Sequence, residues 1–474
     1  MKTPPPIFGN TLRRQLRKEW SGRRVTVMGL GQIRWGSGWS SAAFFASLGA
    51  KVTVTDQKSA DSFTPALKAL RPYPITYVFG KHRLQDFSTA DLVIKNPIVS
   101  LRSPYLRAAR RKKIPIETDV SWFVQHCSSR VIGVTGTRGK STTATLIAHL
   151  LGGESKKIYL GGNVGRSPLR FLFQLRPDSL VVLELSSWML ESLSPHRWSP
   201  SVAVLTNVYR DHHNTYWSFA EYTSAKALIT KFQRPGDLLV YNDDHPIVKR
   251  IARKTKAACL RFSLHHKAEV FAQKNTLYLQ SGGTVRPMAT TKDIQLLGQH
   301  NIANTLAALG AVSPFMTSKA FIRSRLRSFQ GVPERLETIR VFRKRRFIND
   351  TTATSPDATI AALECFPKPL VLIAGGTDKE LDFRLVARTI LRRVSSLVLL
   401  PGSGTIRLQR ELKRLGFRRS LGPVQSMPEA VSIAWNQSTP GSTILLSPGA
   451  TSFGLFTNEF DRGRAFRTAV RALR

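Results

Sequence analysis

Residues 131–143 read VIGVTGTRGKSTT. A glycine loop closing on Gly-Lys-Ser, set between an apolar β-rich run and a helical stretch, is the local pattern that cradles phosphates. Loop and helix N-terminus together aim backbone N–H groups at one place. The common phosphate loop carries a glycine five positions before its Gly-Lys pair. Here that position is Val134, and the glycines stand at Gly133 and Gly136 instead. The flanking elements still suit phosphate: residues 131–134 are β-rich and STTATLIAHLL reads as a helix. Gly136, Thr137, Arg138, Gly139 and Thr142 then lie along the phosphates. Lys140 reaches the β and γ phosphates, and the Ser141 hydroxyl is placed to ligate Mg²⁺.

Four further positions have side chains suited to chemistry. Glu184 ends the apolar run SLVVLE, where an acid points to a cleft, a metal or a partner. Mg²⁺ takes one or two carboxylates along with phosphate oxygens. His212 belongs to RDHHN, and histidine pairs also occupy exposed loops with no chemistry. Lys226 lies in EYTSAKALI, a helical stretch in which a lysine ordinarily marks the solvated face. Asp56 closes KVTVTD, the second strand of a βαβ unit, where a carboxylate reads as a ribose ligand. The turn of that unit, GLGQIRWGSG with Gly31, is not a clean G-x-G-x-x-G, so the unit alone is a weak signal.

These residues need strands to hold them. The chain has 474 residues, more than one ordinary core accommodates. The first segment continues from its βαβ unit through DLVIKNP and IPIETDV, and HCSSR forms a polar joint at 126–130. A second segment carries KIYLGG, SLVVLELSS, SVAVLTNV and DLLVYNDD, with helical stretches between them. A third, from GVPERLE onward, carries RRFINDT, PLVLIAGG, SSLVLLPGSG and STILLSPG. Alternation of this kind predicts mostly parallel sheets, with ligands outside the carboxyl ends of the strands. The expectation is three α/β domains: a Rossmann-like domain over 1–128, a P-loop ATPase-like domain over 129–332 and a second Rossmann-like domain over 333–474.

Composition bounds the class. With 42% hydrophobic and 21% charged residues the chain is globular, and no apolar run approaches the ~18 residues of a membrane span. MKTPPPIFGN lacks a signal peptide's apolar core, so a cytoplasmic protein without membrane insertion is expected. Cys127, Cys259 and Cys365 are far apart and read as reduced thiols. Lys plus Arg number 71 against 30 acids, a net charge of +41. Such a balance suits nucleic acid, a generally basic background or small polyanionic substrates. The basic runs LRRQLRK, RAARRKK, FIRSRLRSF and RVFRKRR are scattered rather than gathered in one tail, which favours the second reading.

The residues also resemble a family. GVTGTRGKSTT is similar to the ATP loop of the Mur ligases, which share it with folylpolyglutamate synthases, and in that family the shifted glycine is the rule. GGNVG, LELSSWMLE, TNVYRDHHNTYWSFAEYTSAKALI, GQHNIANTLAAL, GVPERLE, INDTTATSPDAT, GGTDKELDF and LLSPGATSFGLFTNEFDRG follow in the family's order, from about residue 20 to the end. The resemblance implies an ATP-dependent ligase joining D-glutamate to UDP-N-acetylmuramoyl-L-alanine through an acyl phosphate. It implies two Mg²⁺ sites held by Ser141, Glu184, His212 and a carbamylated Lys226, with Lys140, Lys226 and His212 catalytic. It adds Asn301, Asn304, Arg335 and Asp350 to the nucleotide site. Gly31, Asp56, Asn96, Asn163, Ser186, Thr354, Lys379 and Ser452 become substrate residues, Asp56 near the uracil. Departures occur at Met189 (often Gln), Glu334 (often His) and Thr352 (often Lys), and the aromatic frequent near NEF stands at Phe460. A ligase of the same family with another amino acid is the near rival; the first domain and SPGATSF argue against folate. The rival from another class is a basic P-loop protein binding nucleic acid, but no aromatic-basic module or helix-turn-helix supports it, and a monomer free of specific nucleic acid is expected.

Overall fold

The computed structural model describes residues 7–153, 157–210, 216–315, 318–378, 381–452 and 454–474. Within them the strands form three sheets. The first is all parallel and contains β1 (Arg24–Met28), β2 (Lys51–Asp56), β3 (Ile75–Phe79), β4 (Leu92–Lys95) and β5 (Ile116–Glu117), in the order β3-β2-β1-β4-β5. Its winding reverses between β1 and β4, the point where open α/β sheets leave a crevice for a ligand.

The second sheet contains β6 (Arg130–Thr135), β7 (Ile158–Gly162), β8 (Leu180–Glu184), β9 (Val202–Leu205), β10 (Leu238–Asn242), β11 (Ala258–Ser263), β12 (Val270–Gln273), β13 (Thr276–Ser281) and β14 (Thr284–Thr290). Their order is β14-β13-β12-β11-β10-β9-β6-β8-β7. From β7 to β12 the neighbours run parallel, and β12, β13 and β14 finish the sheet as an antiparallel meander. That meander was not among the strands expected from the sequence. Its turn, Gly282-Gly283 with φ of 55° and 77°, is the left-handed pair that a two-residue hairpin asks for.

The third sheet contains β15 (Glu337–Phe342), β16 (Arg345–Asn349), β17 (Leu370–Gly375), β18 (Ser396–Leu400), β19 (Ser420–Leu421) and β20 (Thr443–Leu446), ordered β15-β16-β20-β17-β18-β19. All its pairs are parallel except β15 with β16. The expected IPIETDV strand is short: β5 stops at Glu117 because Thr118 caps a helix, Asp119–His126, through a reciprocal bond with Ser121.

Two compact units result, residues 1–294 with 302–329 and residues 295–301 with 330–474. The first unit holds two of the sheets on one continuous core. Trp122, just before β6, meets Trp20 and Phe45 edge-on at centroid distances of 5.0 and 5.2 Å, and Phe44 stacks on Phe173 at 5.2 Å. Aromatic pairs in these geometries contribute about 0.5–1.5 kcal/mol each beyond their buried area. Within the second unit, apolar side chains pack on both faces of the third sheet. Among the described residues no helix is long and apolar enough to cross a membrane.

Candidate active site

β6 is buried from Val131 to Thr135 and delivers the chain to the loop, and helix Lys140–Leu151 carries it away. Gly139, immediately before the helix, has φ 80°, a left-handed value that only glycine takes freely. A Cβ there would sit 2.3 Å from Asn304 Oδ1, and one on Gly136 (φ 153°) 2.0 Å from Thr206 Oγ1. The glycines therefore answer two needs, backbone conformation and close approach. The loop is held from outside. Asn207 Oδ1 accepts from Arg138 N at 2.8 Å, the Asn207 carbonyl accepts from Thr137 N at 2.9 Å, and Thr206 Oγ1 donates to the Arg138 carbonyl at 2.8 Å. Thr206 and Asn207 were missed in the sequence. Their signal was a Thr-Asn pair directly after an apolar strand in the same sheet.

Glu184 ends β8 in register with Val134 of β6, so strand pairing alone sets the acid beside the loop. It is 1% exposed. Asn163 Nδ2 donates to its Oε1 at 2.8 Å and Asn163 N to its carbonyl at 2.9 Å, while Oε2 has no hydrogen-bond partner among the described residues. A buried carboxylate oxygen left unsatisfied is costly, and a hard cation shared with phosphate oxygens would satisfy it. The donor set therefore fits Mg²⁺ bound jointly with a nucleotide. Among the described residues no group of three or more His, Cys, Asp or Glu gathers as a metal site on its own. His212 lies outside the described residues.

Lys226 is not on a solvated face. It is 2% exposed, its Nζ donates to the Gly136 carbonyl at 2.8 Å, and it lies 4.7 Å from the Tyr222 ring centroid. Helix Phe219–Lys231 buries Tyr222, Ala225, Lys226 and Ile229 on one stripe. Lys140 Nζ donates to the Thr137 carbonyl at 2.9 Å. Ser141 is buried at the helix start, and Thr143 Oγ1 reaches Asn304 Oδ1 at 3.3 Å. Ser186 caps helix Ser187–Leu193 by accepting from Met189 N at 3.3 Å.

At the carboxyl end of the first sheet, Gly31, Asp56 and Asn96 come together. Asp56 Oδ2 accepts from Leu30 N at 2.9 Å, and a Cβ on Gly31 would meet Asn96 Nδ2 at 3.2 Å. Lys95, which no motif in the sequence marks, is 4% exposed, and its Nζ donates to the Pro97 and Val99 carbonyls at 3.0 Å each. Burial pushes its ammonium down to about 8.

In the second unit, Asp350 follows β16. Its Oδ2 accepts from Ser447 Oγ at 2.8 Å and its Oδ1 from Leu336 N at 3.2 Å. Burial pushes its carboxyl up to about 7, against the smaller opposing pull of those bonds and of Arg335. Arg335 itself is exposed. Thr352 Oγ1 donates to the Glu334 carbonyl at 3.0 Å, so two of the departures from the family pattern touch each other. Burial also raises Glu334. Thr354 is half-buried, and Ser452 is buried after the strand end at β20. Asn301 Nδ2 donates to the Leu297 carbonyl at 2.7 Å. Lys379 lies outside the described residues.

Comparison with known proteins gives one direction. Residues 134–312 match the family model described as Mur ligase middle domain, and residues 23–118 match Mur ligase MurD-like, N-terminal domain. Over 461 residues the chain is 39% identical to UDP-N-acetylmuramoylalanine–D-glutamate ligase of Roseiflexus sp. (strain RS-1), covering 95% of this chain and 98% of that one. The protein of the same name from Symbiobacterium thermophilum is 33% identical over 454 residues, covering 95% and 98%. Among solved structures, UDP-N-acetylmuramate-alanine ligase of Thermotoga maritima superposes with a TM-score of 0.64 at 21% identity, covering 95% of this chain and 99% of that one. MurF ligase of Thermotoga maritima, solved in complex with ADP, gives 0.58 at 16% identity, covering 95% and 98%. The three-sheet α/β fold is shared with both.

Proposed function

The chain belongs to the Mur ligase family, and from that membership we propose that it is the ATP-dependent ligase that adds D-glutamate to UDP-N-acetylmuramoyl-L-alanine in peptidoglycan precursor synthesis. The observation that carries the ligase chemistry is the meeting of a phosphate loop, a buried carboxylate with one unsatisfied oxygen and a buried lysine on the loop carbonyl. D-Glutamate as acceptor follows from full-length relatives that bear that name.

In this reading the loop N–H groups and Lys140 bind and neutralise the ATP phosphates. An oxygen of the substrate's alanine carboxylate attacks the γ-phosphorus. The bond from that phosphorus to the β–γ bridging oxygen breaks, leaving ADP and an acyl phosphate. The D-glutamate amine then attacks the acyl carbon, the nitrogen loses a proton, and phosphate departs from the tetrahedral intermediate as the amide forms. Glu184 and Ser141 would hold one Mg²⁺, which supplies charge neutralisation on the phosphates. A second is assigned to His212 and a carbamate on Lys226, on the family resemblance. Asn163 orients Glu184 and faces the UDP-linked substrate with Ser186. Asn301, Asn304, Arg335 and Asp350 serve the nucleotide. Gly31, Asp56 and Asn96 take the UDP end, and Thr354, Lys379 and Ser452 take D-glutamate. In this reading the domains divide near residues 128 and 332, and the protein works as a cytoplasmic monomer.

An amino-acid panel tests this. With ATP, Mg²⁺ and UDP-N-acetylmuramoyl-L-alanine, phosphate release should be fastest with D-glutamate. Equal or faster turnover with meso-diaminopimelate, L-lysine or L-alanine rejects the acceptor assignment.

A further inference from the structure

Arg462 is the largest fully buried side chain among the described residues, at 0% exposure. It sits in the first turn of helix Glu459–Ala472 and reaches two loops that leave adjacent parallel strands of the third sheet, β16 and β20. Its Nε donates to Thr351 Oγ1 at 3.0 Å and its Nη2 to the Thr351 carbonyl at 2.8 Å. Its Nη1 donates to the Ala450 carbonyl at 3.2 Å. All three acceptors are neutral. Among the described residues no carboxylate forms an ion pair with it, and Glu459 acts on it only through space. Burial lowers its guanidinium to about 10, so the group stays charged at neutral pH.

A buried charge without a counter-charge is expensive, and a packing role alone is met more cheaply by an apolar side chain. The arrangement does two things an apolar residue cannot. The planar fork fixes the Thr351 and Ala450 backbones relative to each other. Thr351 Oγ1 in turn donates to the Glu459 carbonyl at 2.8 Å, and a Cβ on Gly463 would meet Thr351 Cγ2 at 2.7 Å, so loop and helix allow little slack. The charge also lies directly beneath the two loops, and in a low-dielectric interior its field is weakly screened. An amino-acid dicarboxylate settling on those loops would complete the missing counter-charge.

We infer that Arg462 is a positioning residue for the acceptor amino acid: it staples the 350–354 and 447–452 loops and sets a positive potential under the carboxylates that bind there. This rests on the assignment of Thr354 and Ser452 to D-glutamate.

The test is steady-state kinetics of the full-length enzyme, varying each substrate in turn. Arg462→Met should raise the KM for D-glutamate at least tenfold, with the KM values for ATP and the UDP substrate within twofold. Arg462→Lys, which keeps the charge and loses the fork, should fall between it and the parent. Should Arg462→Met fail to fold, Thr351→Val removes the Nε acceptor and should raise the same KM at least threefold. A folded Arg462→Met with D-glutamate KM within twofold, or one that loses only kcat, overturns the inference. Ser452→Ala separates the two claims. If it raises the D-glutamate KM and the Arg462 variants do not, the positioning role falls and the site stands. If the Arg462 variants raise it and Ser452→Ala does not, Ser452 is rejected as a ligand and the positioning role stands. If neither moves it, both fall.

Discussion

The Lys226 ammonium donates to the carbonyl of Gly136 at 2.8 Å, 90 positions earlier in the chain. This ties the helix Phe219–Lys231 to Gly136 of the phosphate loop. Carbamylation is compatible with that bond, because adding CO₂ to an amine leaves one N–H on the nitrogen while turning a cation into an anion. Lys226→Ala should therefore lose at least about 100-fold in kcat. Acetate or formate at saturating Mg²⁺ should return part of the activity, since Mg²⁺ needs hard oxygens and not a tether. Recovery with small amines and none with acids rejects the carbamate.

Lys140 touches the loop it serves, through the Thr137 carbonyl at 2.9 Å. Lys140→Ala should lower kcat by about 10²–10³ through lost charge stabilisation in phosphoryl transfer. Its circular dichroism and melting temperature should stay near those of the parent. A folded variant with near-normal turnover removes the loop from the chemistry.

Gly139→Ala meets two obstacles, φ 80° and the Asn304 amide oxygen 2.3 Å from the new methyl. The left-handed conformation alone costs an alanine about 1–2 kcal/mol. The variant should melt lower and bind ATP more weakly. Adding Asn304→Ala should recover part of the stability by clearing the clash, and little of the ATP affinity. A single variant as stable as the parent contradicts the geometry.

Asp350 titrates near 7 in the folded protein because it is buried, against an ordinary value near 4. Its folded pKa is raised, so between about pH 4 and 7 the folded chain binds more protons than the unfolded chain. This carboxyl then makes stability fall as pH rises through that window. Asp350→Asn, which cannot ionise, should flatten that part of the profile and melt higher than the parent at pH 8. Melting temperatures taken from pH 5 to 8 on both proteins decide it: parallel curves rule out a strongly raised Asp350.

Some of this was plain in the sequence and some was hidden for identifiable reasons. Glu184 was visible because an acid closing a run of Leu and Val has few bland explanations, and pairing of β6 with β8 does the rest. The shifted glycines were visible as an anomaly, and their cause is packing: a Cβ on Gly136 would meet Thr206 Oγ1 and one on Gly133 the Pro200 ring. Lys226 was legible only through resemblance. Its own signal was a lysine on the stripe of Tyr222, Ala225 and Ile229, which a count of apolar positions passes over. The strands β11 to β14 were missed because CLRF and YLQS are short and mixed in polarity. Arg462 looked like one more member of a basic chain, since nothing local distinguishes a buried arginine from 70 other cations. Contacts such as Thr143 with Asn304, 161 positions apart, depend on the whole sheet and leave no local trace.

That last separation has a consequence for the protein during its synthesis. The phosphate loop leaves the ribosome well before the helix carrying Asn304, and at ~5–20 residues per second the gap is roughly 8–30 s. For that interval the nascent chain has its glycines and Lys140 but not the Asn304 amide that Thr143 reaches. Nucleotide capture therefore belongs to the late part of translation. A chain that stalls between the two segments presents an unfinished pocket and a bare apolar sheet face, which makes it a substrate for chaperones rather than for ATP.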